Sequence, residues 1–194
     1  KGGAEAAAAA QGALVSLRRA VTAANEGDYR AAVELFTQVL SYEPGLTDAL
    51  SGRGTSYAYL GDLPKALRDF DAALRHNPKD PDLLGRRVQV LQALGGRDAE
   101  VVEATTAILS ARPHEVQALH QRGKAFSTLQ NYRRAVADLT AFLDRGGKRS
   151  AAVLNLLGTS LAAMGRCTSA IDAYQQTLTL DPALHQAHVN LGQA

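Results

Sequence analysis

The side chains that could carry chemistry are five histidines, one cysteine and one glycine-rich basic run. His185 and His188 stand three apart, which would place two imidazoles on one helical face as paired metal ligands. No third ligand is signalled beside them, and His76, His114 and His120 are scattered, so neither a metal nor a cofactor is expected. A single thiol, Cys167, excludes an internal disulfide and a cysteine-rich zinc site, and its place in the sequence suggests a packing role. The run DRGGKRS around Gly146 has the lysine and serine of a phosphate loop. It lacks the upstream glycine, and Arg149 separates Lys148 from Ser150. Ser150 is better placed to cap a following helix. No nucleophile, base and orienting group fall into one constellation. The expectation is therefore a chain that is not an enzyme and has no catalytic residue.

The elements behind these residues come from composition and periodicity. Over 194 residues, 46% are hydrophobic and 21% charged, enough apolar surface for a core and too much for disorder. Twenty-one Lys and Arg against 19 Asp and Glu leave +2, which argues against a nucleic-acid partner. No apolar run approaches the roughly 18 residues of a membrane helix, so membrane insertion is not expected. No signal-peptide pattern opens the sequence, and an intracellular, cytoplasmic location is the expectation. Alanine and leucine dominate and tryptophan is absent, a bias toward helix.

Spacing then gives the architecture. Pro44, Pro78 and Pro113 are 34 and 35 apart, and Pro182 lies 69 further on. Seventeen residues before each proline stands a glycine: Gly27, Gly61, Gly96 and Gly165. Twelve before come Ala32, Ala66, Val101 and Ala170, and eight before come Phe36, Phe70, Thr105 and Tyr174. Gly123, Ala135 and Leu139 fill the missing phase, with Gly147 where proline would fall. Each period reads as a helix A, a glycine turn and a helix B closed by proline. Gly54 and Gly158 on helix A are expected to face Ala66 and Ala170 on helix B, where only small side chains let two backbones approach.

This pattern resembles the tetratricopeptide repeat, a 34-residue helical pair with small, aromatic and proline positions in this order. The segment from Asn25 to Leu63, NEGDYRAAVELFTQVLSYEPGLTDALSGRGTSYAYLGDL, is similar to the arrays of the tetratricopeptide repeat protein 13 group and its plant immune-suppressor relative. The fifth repeat and its successor are similar to the array of O-linked N-acetylglucosamine transferases. The resemblance implies an all-α fold, a right-handed α-solenoid of stacked antiparallel helix pairs. Five units are expected at 13–46, 47–80, 81–115, 116–149 and 151–184. An alanine-rich lead-in occupies 1–12, and the first helix of a sixth unit occupies 185–194. Because natural arrays close with a solvating cap, this half unit suggests a protein that continues. The third unit fits least well, with a doubled glycine, Gly95 and Gly96, and Val101 at its small position.

Two helix-A arginines, Arg53 and Arg122, each have an aspartate sixteen residues on, Asp69 and Asp138. An Arg–Asp pair bridging helices A and B is the expected result, structural rather than catalytic. Arg19 and Arg87 lack that aspartate and are open to other partners, including Glu34 and Glu103.

The resemblance places helix A on the concave face of the superhelix. By register the groove positions are Ser51, Thr55 and Tyr59, then Asp82, Gly85, Arg86, Gln89 and Gln92. Gln117, His120 and Lys124 follow, then Asn155, Thr159 and Asn190. Such amides and hydroxyls suit hydrogen bonds to an extended peptide or a partner protein. The Lys/Asn clamp by which chaperone-binding members hold acidic C-termini is not matched: Leu17 and Val21 stand where the first helix would need Lys and Asn. Chaperone C-termini are therefore not the expected partner. The functional expectation is a noncatalytic protein–protein interaction scaffold. The alternative is the partner- or substrate-recognition arm of a larger enzyme.

Overall fold

The protein is described here by a computed structural model covering residues 2–193, with side chains from Gln11 onward. Lys1 of the lead-in and Ala194 of the last repeat lie outside the described residues. The described residues form eleven α-helices and no strand. They are α1 (Gly2–Asn25), α2 (Tyr29–Tyr42), α3 (Thr47–Tyr59), α4 (Leu63–His76), α5 (Pro81–Leu94) and α6 (Asp98–Ala111). Then follow α7 (Val116–Thr128), α8 (Tyr132–Asp144), α9 (Ala151–Ala163), α10 (Cys167–Leu180) and α11 (His185–Gln193). The chain divides into two compact units between Gly96 and Arg97, inside the repeat with the doubled glycine. Gly95 and Gly96 both have positive φ, 71° and 68°, which glycine adopts at little cost.

In the first unit, α1 to α5 pack in sequence order, with added contacts of α1 on α3 and α3 on α5. Its core gathers Ala20, Ala32, Phe36, Val39 and Leu50. In the second unit, α6 to α11 pack in the same way, and α7 also touches α9. Leu119, Leu139, Phe142 and Val153 form one cluster there, and Leu161, Ala170 and Tyr174 another. The small positions Ala32, Ala66, Ala135 and Ala170 are all fully buried. Phe36, Phe70, Leu139 and Tyr174, four residues further on, lie on the same helical face and are buried too. Each such side chain contributes about 1.5–3 kcal/mol of burial energy.

One residue both ends helix A and starts helix B. After α3, the Gly61 amide bonds the Ala58 carbonyl and the Asp62 amide bonds that of Tyr57. This satisfies the orphan carbonyls, with Gly61 left-handed at φ 81°. The Asp62 side chain then accepts from the Lys65 amide at 3.3 Å and caps α4. Asp28 does the same for α2, accepting from the Ala31 amide at 3.0 Å. In the fourth repeat the left-handed position is held by Gln130 at φ 58°. A side chain there costs about 1–2 kcal/mol, partly offset by glycine's greater unfolded entropy. Gln130→Gly should therefore stabilise the protein by roughly 0.5–1 kcal/mol, read as a shift in urea midpoint. A lower midpoint would mean that the Gln130 side chain makes a compensating contact.

Gly54 on helix A faces Ala66 as the spacing predicts, whereas Gly158 meets a different neighbour. A Cβ on Gly54 would meet the Ala66 carbonyl oxygen, the Asp69 Cβ and the Phe70 ring at 3.2 Å. At Gly158 the nearest obstacle is the Tyr174 ring at 2.6 Å, so an aromatic rather than Ala170 sets that limit. Among the described residues the tightest glycine is Gly52, where a Cβ would fall 2.2 Å from the Phe36 Cζ.

Candidate functional site

In the first unit, Ser51, Thr55 and Tyr59 recur every four residues and share one face of α3. Asp82, Arg86 and Gln89 share a face of α5 by the same geometry. The fold joins these two faces at one bond: Arg86 Nη1 donates to the Thr55 hydroxyl at 2.9 Å. Thr55, Tyr59, Arg86 and Gln89 rim a cavity of about 310 Å³. Its apolar walls come from Ala58, Leu63, Phe70, Val90 and Ala93. Ser51 and Asp82 stand outside that lining; Ser51 lends its carbonyl to the Thr55 hydroxyl at 2.8 Å. Tyr59 is two-thirds exposed, yet one face is braced by Tyr29 of α2. The two rings stack at 4.4 Å with 5° between planes. Tyr29 was not singled out from the sequence, and so this role was missed. No spacing rule signals it, because the two residues meet across different repeats.

In the second unit, Asn155 and Asn190 meet, the Asn190 amide donating to the Asn155 oxygen at 3.3 Å. Gln186 bonds the Asn190 oxygen at 2.8 Å, so this pair is part of a short polar row. Thr159 is exposed and bonds back to the Asn155 carbonyl, as mid-helix threonines often do. Gln117 and Lys124 of α7 are exposed. His120 leans inward, its ring 5.0 Å from Phe142 and tilted by 30°. Burial first, and then the charge of Lys124, hold the His120 pKa below its ordinary 6.5. The folded state thus favours neutral imidazole. The stability this gives is present above the unfolded pKa and is lost as pH falls through the lowered folded one. His120→Gln should flatten the decline in unfolding free energy between about pH 7.5 and 5, measured by urea denaturation across that range. Equal pH slopes for wild type and variant would show that the ring titrates freely.

The arginine pairs are tight forks. Arg53 Nε and Nη2 each bond an Asp69 oxygen at 2.8 Å. Arg122 bonds Asp138 at 2.7 and 2.8 Å. The Asp69 hydrogen bond pushes the Arg53 pKa further up, against desolvation, so the cation is permanent. Each arginine also reaches back sixteen residues, Arg53 to the Thr37 hydroxyl at 3.2 Å and Arg122 to that of Thr106 at 3.3 Å. One helix-A arginine therefore links two successive helices B. For Arg87 of the third repeat the threonine's place, on helix B of the second repeat, is held by Asp71, which Arg87 bonds at 2.7 Å. The Arg–Asp step was read from the sequence, but the threonine sixteen residues before each arginine was missed.

The remaining candidates are plain. Cys167 is exposed, so the packing role expected for it is corrected: the first helix-B position there faces out. Ser150 caps α9, accepting from the Val153 amide at 3.4 Å. His188 touches the Pro182 carbonyl at 2.9 Å. Among the described residues, no three His, Cys, Asp or Glu side chains gather to hold a metal. No described helix is long and apolar enough to cross a membrane.

Family models for the tetratricopeptide repeat match residues 47–80, and 120–185 with 155–194. The chain belongs to the tetratricopeptide repeat family. Human tetratricopeptide repeat protein 13 is 26% identical over 173 residues, which are 87% of this chain and 20% of that protein. The chain thus spans about a fifth of that relative's length. The crystal structure of YrrB, a tetratricopeptide protein with an unusual peptide-binding site, superposes with a TM-score of 0.81. It is 16% identical and covers 90% of this chain and 89% of its own. The crystal structure of MamA gives 0.76 at 11% identity, covering 88% and 92%. At these identities the likeness establishes the fold, the helical tetratricopeptide solenoid.

Proposed function

We infer that this tetratricopeptide array is a noncatalytic scaffold that takes a partner peptide or protein on the exposed face of its A helices. In the family's superhelix that face is the concave one. The observation that carries this reading is the cavity between α3 and α5, with apolar walls and a hydroxyl, amide and guanidinium rim. Apolar depth with a few convergent polar groups is the usual form of a binding site. The Asn155–Asn190 row and the exposed Lys124 extend the polar face within the second unit. The fold likeness to a peptide-binding member supports the same assignment. The near-neutral charge disfavours nucleic acid. The family's members typically act as noncatalytic scaffolds for protein interaction.

Crosslinking mass spectrometry on the native full-length protein tests this. Crosslinks from Lys124 to another polypeptide, in excess over Lys148 in the α8–α9 loop, are the expected result. Crosslinks running instead to a further domain of the same polypeptide favour the second reading, a recognition arm of a larger enzyme. That reading draws on the small share of its human relative that this chain spans. Equal labelling of Lys124 and Lys148 would move the interface off the A helices.

A further inference from the structure

We propose that the α3–α5 cavity is an anchor site for an acidic–hydrophobic peptide motif. The motif is an internal Asp or Glu next to a bulky apolar residue. This rests on the scaffold reading and specifies its ligand. Among the described residues, Arg86 is the single charged side chain lining the cavity. The other helix-A arginines of known geometry are committed: Arg53, Arg87 and Arg122 each hold a carboxylate at 2.7–2.8 Å. Arg86 holds the neutral Thr55 hydroxyl through Nη1, and among the described residues no carboxylate pairs with it. Its Nε and Nη2 edge remains for a bidentate carboxylate. Asp82 is one turn away on α5 and is not part of the lining.

The apolar part fits the same ligand. A volume of about 310 Å³ lies at the small end of the roughly 300–1,000 Å³ typical of ligand pockets, room for a side chain or two rather than a folded element. Phe70 and Val90 are buried, and Leu63 closes the wall. Tyr59 offers a large flat side already held in place by Tyr29, so little entropy is lost when a ligand packs on it. Gln89 on the rim can bond the backbone of a chain that runs on past the pocket. An internal acidic residue meets all three features, whereas one guanidinium offers a terminal carboxylate nothing extra.

The test is selection of random 12-residue peptides displayed with their C-termini fused to a phage coat protein, so that only side-chain carboxylates are offered. The full chain and its Arg86→Gln variant are screened in parallel, with helix content checked by circular dichroism. Wild type should enrich Asp or Glu beside Phe, Leu, Ile or Met, and Arg86→Gln should lose the acidic preference. Acetylated, amidated peptides made from the enriched sequences should bind the variant about tenfold more weakly, and a Glu→Gln peptide should bind both proteins alike. Binders without an acidic residue, or the same motif from both proteins, would overturn the anchor but leave peptide binding standing. Enrichment seen only from a library with free C-termini would overturn the internal motif. No enrichment from either library would sink both the anchor and the scaffold reading.

Discussion

Arg122→Met should destabilise the protein by about 3 kcal/mol, far more than a surface ion pair, whose loss costs roughly 0–1 kcal/mol. Asp138 is 7% exposed and both its oxygens are committed to the guanidinium. Methionine would fill much of the arginine stem's volume but leave a carboxylate in the helix A–B interface with no cation. The cost is that of an uncompensated buried charge, not of one lost bond. One corollary separates this from loss of packing. The double variant Arg122→Met, Asp138→Leu should recover most of the loss, because a well-packed apolar pair replaces a buried ion pair at little cost. Urea denaturation of the single and double variants near pH 7 measures it. A single variant within about 0.5 kcal/mol of wild type would make the fork a solvated pair with no structural weight. Stacked repeats contact mainly their neighbours, so amide exchange should quicken most in α7 and α8.

Gly52→Val is expected to cost about 2–3 kcal/mol. Valine is a better helix former than glycine, so propensity alone would give a small gain. Packing decides the sign. The added Cβ falls 2.2 Å from Phe36 Cζ, and Phe36 is 2% exposed in the first unit's core, so the ring has little room to yield. Pairing the change with Phe36→Leu removes the clash, and the double variant should lose clearly less than the two single losses summed. Gly54→Ala is the control: its Cβ would stand at 3.2 Å, and it should come out near neutral. If Gly52→Val melts with wild type, the α2–α3 interface is looser than its geometry states.

The sequence by itself determined the helical repeat, the order of the helices and the buried small and large positions. These depend on periodicity, and a period of 34 with fixed offsets says which face of each helix turns inward. The sixteen-residue step from Arg53 to Asp69 could be read for the same reason, since it spans one turn between two helices of known register. The glycine turns could be read from Gly27, Gly61 and Gly165, but Gln130 shows that the left-handed position is set by the turn and not by the residue. The tertiary structure alone decided which side chains meet between repeats. Nothing in the spacing said that Tyr29 would brace Tyr59, that Arg86 would turn to Thr55, or that His120 would lean onto Phe142. Nor did it rank Gly52 above Gly54, or divide the chain at Gly96. Periodicity fixes direction around a helix axis; contact depends on interhelical distance and rotamer, which many side chains set together.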